Sequence, residues 1–179
     1  MSVQAIDDVI AALTERFEAV DFRPAPLSDR ADRRAVQMCI FVPADRLLEV
    51  MRFLRDDPRC RFEQLCDLTC VDYLDYPGAT DRYAVTYSLL SISRERRMWV
   101  KCMVNDPEPV VPSVTSVWKG ADWLEREVWD LFGVRFEGHP DLRRIVTWDG
   151  FDAHPLRKDY PLRGRGERES YQRVERDSA

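Results

Sequence analysis

Val3, Ile6, Ile10, Leu13, Phe17 and Val20 recur at three- and four-residue spacing, which predicts an amphipathic helix over residues 3–20. RPAPLSDRADRR (23–34) is a polar loop. The period then drops to two in AVQMCIFV (35–42), where Val36, Met38, Ile40 and Val42 alternate as in a strand. Pro43 opens a second helix with Leu47, Leu48, Met51 and Leu54 toward the core, and Asp57-Pro58 ends it. FEQLCDLTCVDYLDY (62–76) reads as a strand interrupted by PGATD. RYAVTYSLLSI (82–92) and MWVKCMV (98–104) flank the charged turn SRERR and predict a hairpin. NDPEPVVPSV (105–114) is a connection, and a third helix runs from about residue 122 to a stop at Gly133. Past Phe136 the periodicity disappears.

This order predicts an α+β fold: a two-layer domain over 1–138, a mostly antiparallel sheet with helices packed on it. Residues 139–179 read as an extended C-terminal arm, too polar for a core of its own. It is expected to fold against a partner rather than its own domain, because its few apolar contacts do not offset the entropy of ordering. Within it GHPDLRR (138–144) is echoed by AHPLRKD (153–159). RGRGERE (163–169) reads as flexible tail.

Composition narrows the function. The chain has 179 residues, 45% apolar and 33% charged, with a net charge of −5, which suits one globular domain and favours no nucleic acid. From residue 139 onward nine Lys/Arg alternate with eight Asp/Glu, a balance that fits protein–protein ion pairs and not phosphate tracking. Arg outnumbers Lys by 24 to 3, which suits interfaces or reflects codon usage. Five Cys without a C-x-x-C predict free thiols in a reducing compartment. No apolar run is long enough to span a bilayer, and the acidic first twenty residues do not resemble a targeting peptide.

Phosphate-loop, dinucleotide, zinc-protease and nucleophile-elbow motifs are missing. His139, Asp141 and His154 offer metal-ligand chemistry, as in a metal-dependent hydrolase. Arg143, Arg144, Arg157 and Lys158 beside them oppose a divalent ion, so the two His are expected to be structural. On the third helix, Glu125 falls inside the apolar arc of Leu124, Val128, Leu131 and Phe132, whereas Trp123 falls on the polar side with Glu127 and Asp130. Glu125 is therefore expected to be buried and bonded, either in a capping box with Asp122 or to an Arg. Trp123 is expected to be either covered by a loop or a partner anchor. Arg126 and Asp130, four apart, read as a helix-surface pair.

ADWLEREVWDLFGVRFEGHPDLRRIV and GFDAHPLRKDYPL, with DLTCVDYLDYPG and DPEPVVPSVTSVWKGADW upstream, resemble the family of the C subunit of respiratory NADH–quinone oxidoreductase (complex I) over roughly residues 62–162. The resemblance implies a structural and assembly role in the peripheral arm, without chemistry of its own, in an enzyme that passes electrons from NADH to quinone and couples this to proton translocation. It implies no cofactor in this chain, with FMN, iron–sulfur clusters and quinone held by partners. Those partners are the quinone-site D subunit and the cluster-bearing B and I subunits, on the cytoplasmic side of a bacterial inner membrane. The equivalent component of a complex I-like membrane-bound hydrogenase, or of another quinone or ferredoxin oxidoreductase, is the alternative. The partner interface is expected to use Trp123, Arg126, Glu127, Asp130, His139, Arg143, Arg144, His154, Arg157, Lys158 and Asp159, with Glu125 and Gly133 structural.

Overall fold

The computed structural model describes residues 4–17, 22, 25–26 and 38–166. The expectations for Val3, Val20, residues 35–37 and residues 167–179 lie outside them. The elements are α1 (Gln4–Arg16), β1 (Ala25–Pro26), β2 (Met38–Phe41), α2 (Ala44–Asp56), β3 (Gln64–Asp72), β4 (Tyr83–Ser91), β5 (Arg96–Val104), β6 (Val110–Pro112), α3 (Ala121–Phe132) and β7 (Arg135–Glu137).

The main sheet has the order β1-β2-β5-β4-β3. Its backbone is the predicted hairpin, β4 against β5, with β3 antiparallel on the other side of β4. The fold is α+β and mainly antiparallel, as the periodicity indicates. Strand β2, however, pairs parallel to β5, because α2 carries the chain over the sheet between them. Three short strands were not predicted. β1 lies within the 23–34 loop, and β6 and β7 form a separate parallel pair.

Residues alternate between two environments along β4. Tyr83, Val85, Tyr87 and Leu89 face the main core with Leu68, Cys70, Met98, Val100 and Cys102. α2 closes this core with Leu47, Val50, Met51 and Leu54, and α1 adds Val9, Ala12, Leu13 and Phe17. Phe17 meets Phe53 of α2 edge-on at 5.6 Å between ring centres. α3 packs on β3 through Val128 and Phe132. Trp118 ties the approach to α3 back to the core, donating from Nε1 to the Phe62 carbonyl at 3.3 Å.

A candidate interaction site on the third helix

The arm does not leave the domain over its described length. From His139 to Arg157 it runs beside α3 in the same direction, bonding to it at successive turns. His139 meets the Asp122 carbonyl at 3.1 Å, and Arg126 donates from Nε to the Arg143 carbonyl at 3.1 Å. Leu156 N–H then donates to the Leu131 carbonyl at 3.0 Å, and Arg157 Nε to that of Phe132 at 2.6 Å. His154 donates through Nδ1 to the Asp130 carbonyl at 2.9 Å. With Gly133 N–H on the Trp129 carbonyl, all four carbonyls that a helix C-terminus leaves open have donors. The structure thus packs residues 139–159 of the expected partner-docking arm along their own domain. Hydrogen bonds to a preformed helix end do what apolar burial could not.

The two His-Pro echoes clasp opposite ends of α3, His139 near its start and His154 near its end. Gly133 lies at the C-terminal end of α3. Its φ of 77° suits a residue without Cβ, and an added Cβ would lie 2.6 Å from both Arg157 Nη2 and His154 Cδ2. Burial, together with Arg157 and Arg144, pushes His154 below the usual histidine range.

Asp130 is the centre of the arrangement. It is fully buried. Its Oδ2 accepts the N–H groups of Ile145, Val146 and Thr147 at 3.0, 2.7 and 2.9 Å. Its Oδ1 accepts the Thr147 hydroxyl and Arg144 Nη1, the latter at 2.6 Å. Three consecutive backbone N–H groups on one oxygen form an anion nest. Burial opposes ionisation, but the hydrogen bonds from Thr147, Val146 and Ile145 win and hold the carboxyl at about 2. The expected surface pair between Arg126 and Asp130 does not exist. Both side chains are buried and each holds a different part of the arm.

A second anchor lies at the sheet edge. Buried Asp72 accepts Lys158 N–H at 2.8 Å and pairs with Arg82 Nη2 at 3.2 Å. The same guanidinium reaches Asp159 at 3.0 Å, while Arg157 stacks 5.4 Å from the Tyr83 ring centre. Burial would raise the Asp72 carboxyl, but Arg82 and the backbone bonds lower it below its ordinary value.

Glu125 is fully buried, as the helical phase requires, but in neither expected way. Gly120 occupies the N-cap position, so no capping box forms, and no Arg approaches closely enough to pair with it among the described residues. Instead Oε1 accepts the Val114 N–H at 2.7 Å. Burial pushes this carboxyl up to about 7, against hydrogen bonds from Ser113 and Val114 and with help from Asp122.

The predicted interface residues therefore divide. Arg126, Asp130, His139, Arg144, His154 and Arg157 are engaged inside the chain. Trp123 is 66% exposed, with Arg126 over its ring at 5.2 Å, so it is not under a loop. Glu127, Arg143, Lys158 and Asp159 are exposed too. Sequence reasoning missed the exposed apolar residues Val146, Trp148 and Leu156, which the arm carries outward. His139, Asp141 and His154 do not converge on a metal. Asp141 N–H donates to His139 Nδ1, and His154 lies at the other end of α3. Among the described residues, no three His, Cys, Asp or Glu side chains group as a metal site. The five Cys are free, and burial pushes the thiols of Cys70 and Cys102 up to about 12.

The sequence model of the family described as "Respiratory-chain NADH dehydrogenase, 30 Kd subunit" matches residues 40–166. The chain belongs to this family. Within the 30 Kd family, the "C 2" subunit of NADH-quinone oxidoreductase from Rhizobium etli is 50% identical over 123 residues, covering 69% of this chain and 64% of the relative. The C subunit of NADH-quinone oxidoreductase from Rhodopseudomonas palustris is 50% identical over 128 residues, or 72% of this chain and 61% of the relative. A mitochondrial relative from Candida albicans, NADH dehydrogenase [ubiquinone] iron-sulfur protein 3, is 48% identical over 128 residues, or 72% and 44% of the two chains. The chain thus spans less than two thirds of the length of these relatives.

A trypsin-resistant fragment of Nqo5 superposes with a TM-score of 0.62 at 33% identity, covering 75% of this chain and 99% of the fragment. A chain of an archaeal membrane-bound sulfane sulfur reductase shares the fold, with a TM-score of 0.68 at 21% identity over 96% of this chain and 95% of that one. No helix among the described residues is long and apolar enough to cross a membrane.

Proposed function

We propose that this chain serves as the C subunit of a NADH–quinone oxidoreductase, a structural component of the peripheral arm that performs no chemistry itself. The observation that carries this reading is the use made of its most distinctive residues. From the E-R-E, H-P-D-L-R-R and H-P-L-R-K-D motifs, Arg126, His139, Arg144, His154 and Arg157 fasten an irregular arm to α3 and leave side chains such as Trp123, Val146, Trp148 and Leu156 exposed on the surface. Exposed aromatic and aliphatic side chains beside charged ones such as Glu127, Arg143, Lys158 and Asp159 suit a partner surface with a polar rim.

FMN, iron–sulfur clusters and quinone then belong to partners, here the quinone-site D subunit and the cluster-bearing B and I subunits. The buried thiols of Cys70 and Cys102, pushed up to about 12, support a chain without a cluster, since the thiolate is the metal ligand. Attachment to the cytoplasmic side of a bacterial inner membrane would come through those other proteins.

Affinity purification of the tagged chain from native membranes tests the proposal. Co-purification of the D, B and I subunits, with NADH:quinone activity in the eluate, is expected. Recovery of hydrogenase components instead would assign the chain to that related complex. The isolated chain should hold neither iron nor flavin, and one iron–sulfur cluster per chain would overturn the cofactor-free assignment.

A further inference from the structure

Glu125 lies where α3, the β6–α3 connection, the core strands and the head of the arm meet. Its Oε1 is held by the Val114 N–H. Its Oε2 is buried and has no hydrogen-bond partner. The nearby His139 Nε2 is 3.9 Å away, too far for a bond. That nitrogen is already directed elsewhere. Asp141 N–H donates to Nδ1 at 3.0 Å, which leaves the ring proton on Nε2, facing the Asp122 carbonyl at 3.1 Å.

Apart from His139, whose Nδ1 accepts a hydrogen bond, the titratable groups around Glu125 are acidic. Asp122 of α3 has a buried, unpartnered Oδ1 that is 3.5 Å from His139 Nε2. Tyr87 of β4 brings a buried, unpartnered hydroxyl, flanked by the thiols of Cys70 on β3 and Cys102 on β5. Ser113 and Val114 bring only hydrogen-bond donors. Arg126, the next residue on the helix, reaches toward the Arg143 and Arg144 carbonyls instead.

The geometry points to a proton-controlled latch: with Glu125 protonated, His139 and the head of the arm close over α3, and when Glu125 ionises they open. A buried carboxylate oxygen without a donor must gain water. Beside it stand the Asp122 side chain, which is 38% exposed, and the fully enclosed His139 ring, which serves as the lid of the latch. Opening on that side leaves the Val114 bond in place, and ionisation strengthens it, because a carboxylate is the better acceptor. The latch therefore loosens residues 139–142 while tightening residue 114, a split that general unfolding does not produce. Burial places the transition near neutrality.

The test is a titration of the full-length chain, following the Glu125 carboxyl carbon, the His139 ring nitrogens and the Val114 amide by NMR from about pH 5 to pH 9. The Glu125 signal should titrate near neutrality. The His139 ring should change environment at the same midpoint, and Val114 should stay protected from exchange. In Glu125→Gln the His139 step should vanish, and in Asp122→Asn the midpoint should fall. A Glu125 carboxylate already ionised at the acid end would overturn the latch. So would a His139 ring that becomes imidazolium as Glu125 loses its proton, or a His139 step that persists in Glu125→Gln. The wild-type titration decides the question even if a variant fails to fold.

Discussion

Asp130 and Glu125 stand five residues apart on one helix, both fully buried, and the protein treats them in opposite ways. Asp130 receives three backbone N–H groups, a hydroxyl and a guanidinium, and stays ionised with its carboxyl at about 2. Glu125 receives donors on one oxygen only and is pushed up to about 7. Both are shut off from solvent, but desolvation weighs more heavily on Glu125, and at Asp130 hydrogen-bond donors outweigh it. Depth of burial and the number of donors aimed at the carboxylate together set the charge. The difference also separates two jobs: Asp130 fixes the arm at any physiological pH, whereas Glu125 couples its neighbourhood to the proton.

The largest effect should come from removing the fixed charge. Asp130→Ala leaves Arg144 without its buried partner and three N–H groups without an acceptor, and should cost about 3–5 kcal/mol in denaturant melts. The same variant of a fully exposed Asp would be nearly silent, so a small loss would dissolve the contrast.

The pH dependence of stability should run in opposite directions at the two sites. The Glu125 carboxyl is raised from 4.5 to about 7. Its contribution is complete below the unfolded value and is lost as pH rises through 7, by about 3 kcal/mol in full. Glu125→Gln should flatten this decline and be the more stable protein at alkaline pH. The Asp130 carboxyl is lowered from 3.8 to about 2, so its contribution, about 2 kcal/mol, is present above pH 4 and lost as pH falls through 2. Melting temperatures across pH for wild type, Glu125→Gln and Asp130→Asn check both signs.

Gly133→Ala tests the joint between the two regions. The positive φ alone costs about 1–2 kcal/mol, and the clash with His154 and Arg157 should loosen the arm beyond it. Heightened proteolysis after residue 143 in this variant, with the core intact, is the expected sign. Smallest in stability are Trp123→Ala and Arg143→Glu, each within about 0.5 kcal/mol of wild type because both side chains face solvent. Both should nevertheless weaken recovery of partner proteins from membranes. Unfolding of Trp123→Ala would instead place that side chain in the fold.

Apolar periodicity made the core legible. It put Leu47, Met51 and Leu54 inward, Glu125 inside and Trp123 outside, and the structure agrees at each. It misplaced Arg126 and Asp130 for an identifiable reason. A helical pattern marks burial against apolar layers, and α3 is also covered on its polar side by a polar arm without a period. Such coverage leaves another trace, the repeated His-Pro followed by Arg and the Gly at the helix end. β6 and β7 have three residues each, too few to show a period of two, and the parallel β2–β5 contact joins segments about sixty residues apart.

The most direct test of an arm held by its own helix is amide exchange at Ile145, Val146 and Thr147 in the isolated, monomeric chain. These three N–H groups lie in a segment without helix or strand, and their common acceptor is Asp130. If the arm is fixed by that carboxylate, they exchange as slowly as amides of the core hairpin and become fast in Asp130→Asn. If they exchange at unprotected rates in the wild-type chain, the arm is not held by its own helix, and partner proteins must order it.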